Sequence, residues 1–157
     1  MPVDSEAAPR LPHTWRPFGV RIAVGILGGM LFVLVVLVWL GLDESVRRQF
    51  TGFQRGTLVF LALLLLATYN ALWRSRVTAT SDRLTVVNGY RTRHYEWSQV
   101  IAVSLRRGAP WASADLSDGT TVSLFAVQGS DGARARRAIR QLRLVIAGQT
   151  PPSPSAD

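Results

Sequence analysis

The chain has 157 residues, no cysteine and two histidines, His13 and His94. That length holds one modest domain plus extra segments, and the missing thiols exclude disulfide scaffolds, Cys-type zinc fingers, iron–sulfur clusters and thiol nucleophiles. All 18 basic residues are Arg and the net charge is +8, so Schiff-base chemistry and a P-loop lysine are excluded as well.

Residues 1–19 carry Pro2, Pro9 and Pro12 and read as a disordered tail. Ile22 to Leu42 then has no charged residue across 21 positions. At ~1.5 Å per residue this run is ~32 Å long, matching a hydrocarbon core of ~30 Å. It exceeds the h-region of a signal peptide, and no A-x-A site follows it. A second uncharged run, Gly56 to Trp73, has 18 positions and no polar stripe. Trp39, Tyr69 and Trp73 lie near the run ends, where aromatic rings favour headgroups. Residues 20–74 therefore read as a transmembrane hairpin with spans at about 22–42 and 56–73. Its termini-side flanks carry Arg10, Arg16, Arg21, Arg74, Arg76, Arg83, Arg91 and Arg93, against Arg47, Arg48 and Arg55 in the connection. The positive-inside rule then places both termini in the cytoplasm, in a multi-pass protein of the cell membrane. Gly25-x-x-x-Gly29 in the first span is a close-packing motif for the hairpin, a homodimer or a larger partner. Neither span holds an ionisable residue, which disfavours an ion or proton pathway.

Residues 75–149 can build a soluble core. Short strands are expected at 77–80, 84–87, 91–97, 100–105, 111–116 and 120–127, with Ile101, Val103 and Leu105 on one face of the fourth. Asn88-Gly89 is a two-residue hairpin signal of type I′. From Asp131 to Ala147 the period changes: Ala135, Ala138, Ile139, Leu142, Val145 and Ile146 form one apolar helix stripe. Gly148 and Pro151-Pro152 end that helix. Thr150 to Asp157 reads as a second disordered tail. The whole is a two-helix transmembrane hairpin followed by a small α+β domain. That domain is a PH-like antiparallel partial barrel of six to seven strands with one C-terminal amphipathic helix.

The segments Val77-Thr-Ala-Thr, Leu84-Thr-Val-Val-Asn-Gly89, Tyr95-Glu-Trp97-Ser-Gln-Val-Ile101, Leu116-Ser-Asp-Gly119 and Leu124-Phe-Ala-Val127 carry a resemblance in their order. They resemble the actinobacterial PH-domain membrane proteins of the low-molecular-weight protein antigen 6 type. The resemblance covers residues 20–147 and implies two N-terminal spans followed by one PH-like domain. It supplies no catalytic residues to carry over, and no cofactor is expected. PH domains that grip phosphoinositides use basic residues around the loop joining strands one and two. Here that loop is Ser81-Asp82-Arg83, short and net neutral, which weakens that reading; Arg91 and Arg93 partly restore it.

No catalytic constellation is visible. His94 shares a strand face with Glu96 and reads as half of a solvated pair. Asp82, Asp118 and Asp131 lie at turns or a cap, without metal-ligand spacing. From Ser75 to Gln149 there are 11 Arg and 5 acidic residues, a balance of +6. Without exposed stacking platforms this is a poor nucleic-acid surface. Arg74, Arg76, Arg91, Arg93, Arg136, Arg137 and Arg140 are the residues expected to meet anionic lipid headgroups or a partner. Trp97 and Trp111 are each either core or an exposed anchor. The expected function is a non-enzymatic, membrane-anchored module at the cytoplasmic face that binds protein partners. An anionic-lipid sensor and an accessory subunit of a transport or envelope complex, with Gly25 and Gly29 at its interface, are the alternatives.

Overall fold

The computed structural model describes residues 8–149. The described residues divide into two compact units: residues 19–73, and a second that joins 8–18 to 74–149.

The first unit is helical. Helix α1 spans Gly19–Gly41, the short α2 spans Glu44–Gln49, and α3 spans Gly52–Arg74. The two long helices have 23 residues each and no buried residue. Phe32 is 70% exposed and Leu66 62%. By length and composition each is apolar enough to cross a bilayer. Both begin before the uncharged runs do. A reciprocal cap sets the start of α3: the Gln54 N–H donates to Thr51 Oγ1 (3.3 Å) and the Thr51 N–H to Gln54 Oε1 (2.9 Å). Arg21, in the first turn of α1, donates to the Trp73 carbonyl (2.6 Å) and lies 4.1 Å from the centre of its ring. Trp39 and Phe50 meet edge-on at 5.5 Å near the opposite helix ends. Among the described residues, a Cβ built on Gly25 or Gly29 would find nothing within 4 Å.

The second unit is a two-sheet domain. Strands β1 (His13–Trp15), β2 (Arg76–Ala79), β3 (Arg83–Asn88) and β4 (Arg91–Glu96) form one antiparallel sheet in that order. Strands β5 (Val100–Ser104), β6 (Trp111–Leu116) and β7 (Thr121–Gln128) form the other. Helix α4 (Ala133–Gln149) packs on β5 and β7. Its expected stripe, Ala135 to Ile146, is buried throughout.

Strand β1 corrects the expectation of a disordered tail over 1–19. Trp15 sits opposite Val77, Thr14 opposite Thr78 and His13 opposite Ala79. The Trp15 ring is 7% exposed within the core, and its indole N–H donates to Gln141 Oε1 on α4 at 3.0 Å. Thr14 and Thr78 share a hydroxyl hydrogen bond of 3.0 Å. Pro12 and Pro17 flank this strand instead of preventing it, and Pro17 is itself fully buried. Residues 1–7 and the second expected tail, 150–157, lie outside the described residues.

Two further expectations change. The β3–β4 turn is centred on Gly89-Tyr90, one residue later than expected. Only Gly89 has positive φ (63°), the signature of a II′ turn with Gly first, so Asn88 remains in its strand. In β5 a bulge between Val100 and Ala102 shifts the alternation. Val100 and Val103 are buried while Ile101 is 63% exposed, so Ile101 does not share the face of Val103.

Candidate interaction surface

Strand β4 is the outer strand of the first sheet. The two-residue turn pairs Asn88 with Arg91. Hydrogen bonding alternates along an antiparallel strand, so Arg91, Arg93 and Tyr95 direct backbone groups to β3, and Thr92, His94 and Glu96 direct theirs outward. The Glu96 N–H accordingly turns to Gln99 Oε1 at 3.0 Å. Only Tyr95 of this strand is buried. Its hydroxyl has no hydrogen-bond partner among the described residues. Beside the strand lies an open depression of about 530 Å³ lined by Asp82, Arg83 and residues 94–99. The edge of β5 is different: Arg143 of α4 donates to the Val103 carbonyl at 2.9 Å and covers it.

The seven arginines singled out above fall into two groups. Arg136, Arg137 and Arg140 are exposed on α4, which packs on β5 and β7. Arg76, Arg91 and Arg93 are exposed on the other sheet, and the Arg74 guanidinium lies 5.8 Å from the Tyr90 ring centre. His94 Nδ1 is 3.0 Å from the Thr85 hydroxyl, a cross-strand bond that replaces the expected pairing with Glu96. Among the described residues no three His, Asp or Glu side chains are grouped as metal ligands. Trp97 is core, its indole N–H donating to the Thr80 carbonyl at 3.0 Å. Trp111 is 41% exposed and tilts against Phe125 at 4.8 Å.

Asn88 has a role that the turn signal concealed. Its side-chain amide donates to the Ser123 carbonyl (2.6 Å) and accepts from the Phe125 N–H (3.2 Å). It thereby ties the first sheet to β7 of the second. Placing Asn88 at a strand end beside a II′ turn frees that side chain to reach across. At the β6–β7 turn, the Thr120 hydroxyl (2.7 Å) and backbone N–H (2.8 Å) both donate to Asp118 and hold its carboxyl below the usual range.

With β1 counted, the connection between the first two strands is the entire segment 16–75, helices included. Ser81-Asp82-Arg83 runs from the β2–β3 turn into the first residue of β3, so its neutrality says nothing about the first loop.

The bacterial PH domain profile matches residues 74–144. An uncharacterised protein of Mycobacterium bovis is 34% identical over 91 residues, 58% of this chain and 59% of that protein. Uncharacterised proteins from two strains of Mycobacterium tuberculosis match to the same extent. The matched stretch thus spans less than two thirds of these relatives' length. No solved structure matches the chain. Residues 74–144, which hold β2–β7 and most of α4, thus match a bacterial PH domain, in a chain similar to mycobacterial proteins.

Proposed function

We propose that this protein is a non-enzymatic, membrane-anchored interaction module whose PH-like domain binds a protein partner at the cytoplasmic face. The observation that carries the reading is the open edge of β4. Its outward backbone groups at Thr92 and His94 lie beside the depression formed by residues 94–99. An extended segment of a partner can pair with such an edge, taking affinity from main-chain hydrogen bonds and selectivity from the neighbouring depression. On the β5 edge the Val103 carbonyl is taken by Arg143, and the apolar side of α4 is spent on the core. Two helices of 23 residues supply the anchor. The pairing of β1, which precedes α1, with β2, which follows α3, favours an arrangement with both flanks of the helices on one side of a bilayer. The arginine balance of the flanks favours the cytoplasmic side. Tethering then raises the effective concentration of the domain for other membrane proteins.

The test is a photo-crosslinking residue at His94 in the full chain, compared with one at Ser113 on the other sheet. A partner captured from position 94 alone, and lost on Thr92→Pro with membrane integration unchanged, supports the reading. Equal capture from both positions, or a partner set indifferent to Thr92→Pro, overturns it.

A further inference from the structure

One end of the first sheet gathers charge and aromatic surface. The β1–β2 ladder ends at Trp15 opposite Val77, so the chain past Trp15 and the chain before Val77 run off the same end. Arg76 pairs with Val87, and Asn88 with Arg91, so Tyr90 and Arg91 lie at that end too. The Gly89 N–H donates to Ser75 Oγ at 3.0 Å and fixes the turn against the strand start. On the other flank, the Phe18 N–H donates to Asp131 Oδ2 (3.3 Å), and the Arg134 guanidinium lies 3.9 Å from the Phe18 ring centre.

The resulting rim carries Phe18, Tyr90, Arg74, Arg76, Arg91 and Arg134. Phe18 is 50% exposed and Tyr90 61%, and all four arginines are exposed. Its one acid, Asp131, is engaged by the Phe18 N–H. The opposite end of the same sheet carries Asp82 in the β2–β3 turn and Glu96 opposite Arg83. Charge is therefore polarised along the strands. The polarisation has a direction: Phe18 immediately precedes α1, and Arg74 ends α3.

We propose that this rim is a contact surface for the anionic headgroups of the membrane in which α1 and α3 are anchored. The proposal rests on the anchor reading given above. Guanidinium groups paired with half-exposed aromatic rings are the side chains that settle at a bilayer interface, the rings at headgroup depth and the cations on phosphate. The rim also sorts the arginines. Arg91 belongs to it, while Arg93 lies two residues further along β4 and Arg143 is engaged by β5. Arg140 sits seven residues after the first residue of α4, about 10 Å beyond the rim.

The chain has no cysteine, so single labels are specific. The full-length protein is reconstituted in vesicles of phosphatidylcholine, with or without phosphatidylglycerol. Nitroxide labels are placed at Thr92→Cys beside the rim, Ser117→Cys in the β6–β7 turn, and Leu63→Cys in the middle of α3. Accessibility to oxygen and to an aqueous nickel chelate reads the depth of each label. In anionic vesicles position 92 should lose nickel accessibility several-fold relative to position 117 while keeping oxygen access. Raised salt, or Arg76→Gln with Arg91→Gln, should return it to the value at 117. A label at 92 as aqueous as 117 in both lipids, with 63 in hydrocarbon, overturns the rim alone. Shielding of 92 from both reagents reports a protein or second copy on the rim and also overturns it. An aqueous label at 63 overturns the anchor and the rim together.

Discussion

By sequence, residues 75–149 are the natural soluble fragment to express. The fold says that this fragment lacks part of its core. It omits β1, with a Trp15 side chain 7% exposed and bonded to Gln141, and the buried Pro17. It also uncovers the edge of β2, where Val77 and Ala79 are fully buried. Loss of a buried tryptophan costs about 3–5 kcal/mol, and each strand hydrogen bond adds about 0.5–1.5 kcal/mol. Small domains have about 5–15 kcal/mol in total, so the fragment should sit near the limit of folding. The comparison is with residues 8–18 joined to 74–149 by a Gly/Ser turn of about four residues. Urea unfolding followed by circular dichroism gives both midpoints. With m of about 1–2 kcal/mol/M, a loss of about 4 kcal/mol lowers the midpoint by about 2–4 M. Trp15→Ala in the joined protein should reproduce most of that drop. Equal midpoints for fragment and joined protein would refute the assignment of β1 to the domain.

Asn88→Ala removes both bonds to β7 and should cost about 1–3 kcal/mol, lowering the melting temperature by about 4–8 °C per kcal/mol in the joined protein. A Cβ on Gly129 would lie 2.5 Å from the Ala109 carbonyl oxygen, so Gly129→Ala should cost about 1–3 kcal/mol in the same melt, and an unchanged melt would mean that the 107–110 loop yields freely. Ile101→Asp should shift stability by no more than about 0.5 kcal/mol, because the bulge turns this side chain outward. Val103→Asp should cost at least about 3 kcal/mol, and the reverse order in urea unfolding would remove the bulge. Tyr95→Phe should leave the urea midpoint unchanged or raised, since the buried hydroxyl has no partner to lose.

Periodicity carried most of the fold because it reports a local fact: which side of a strand or helix is apolar. The α4 stripe and the alternation of β6 and β7 were readable for that reason. Strand β1 was not, because a three-residue strand set between Pro12 and Pro17 gives too short a window, and its partner lies beyond two long helices. The Ile101 error has a similar root. A bulge is set by pairing with β6, and Ile101-Ala102-Val103 contains nothing to announce it. Asn88 announced a turn, while the bonds that make it structural reach Ser123 and Phe125, more than 30 residues away. The arginines could be counted from the sequence, but only the strand register separates Arg74, Arg76 and Arg91 at one end of a sheet from Arg136 and Arg140 on α4.

The helices inserted between two paired strands impose an order of events during synthesis. Trp15 leaves the ribosome 62 residues before Val77, the residue it must face. At about 5–20 residues per second that is a wait of roughly 3–12 s, during which both apolar helices are made. The sheet cannot close until they have been delivered. In a bilayer it closes only when Phe18 and Arg74 emerge on the same side. A chain with one failed crossing would strand Trp15 and Val77 in different compartments, leaving an unburied indole and an open strand edge for a protease to find. Completion of the domain would then act as a checkpoint on membrane insertion, built into the chain's own connectivity.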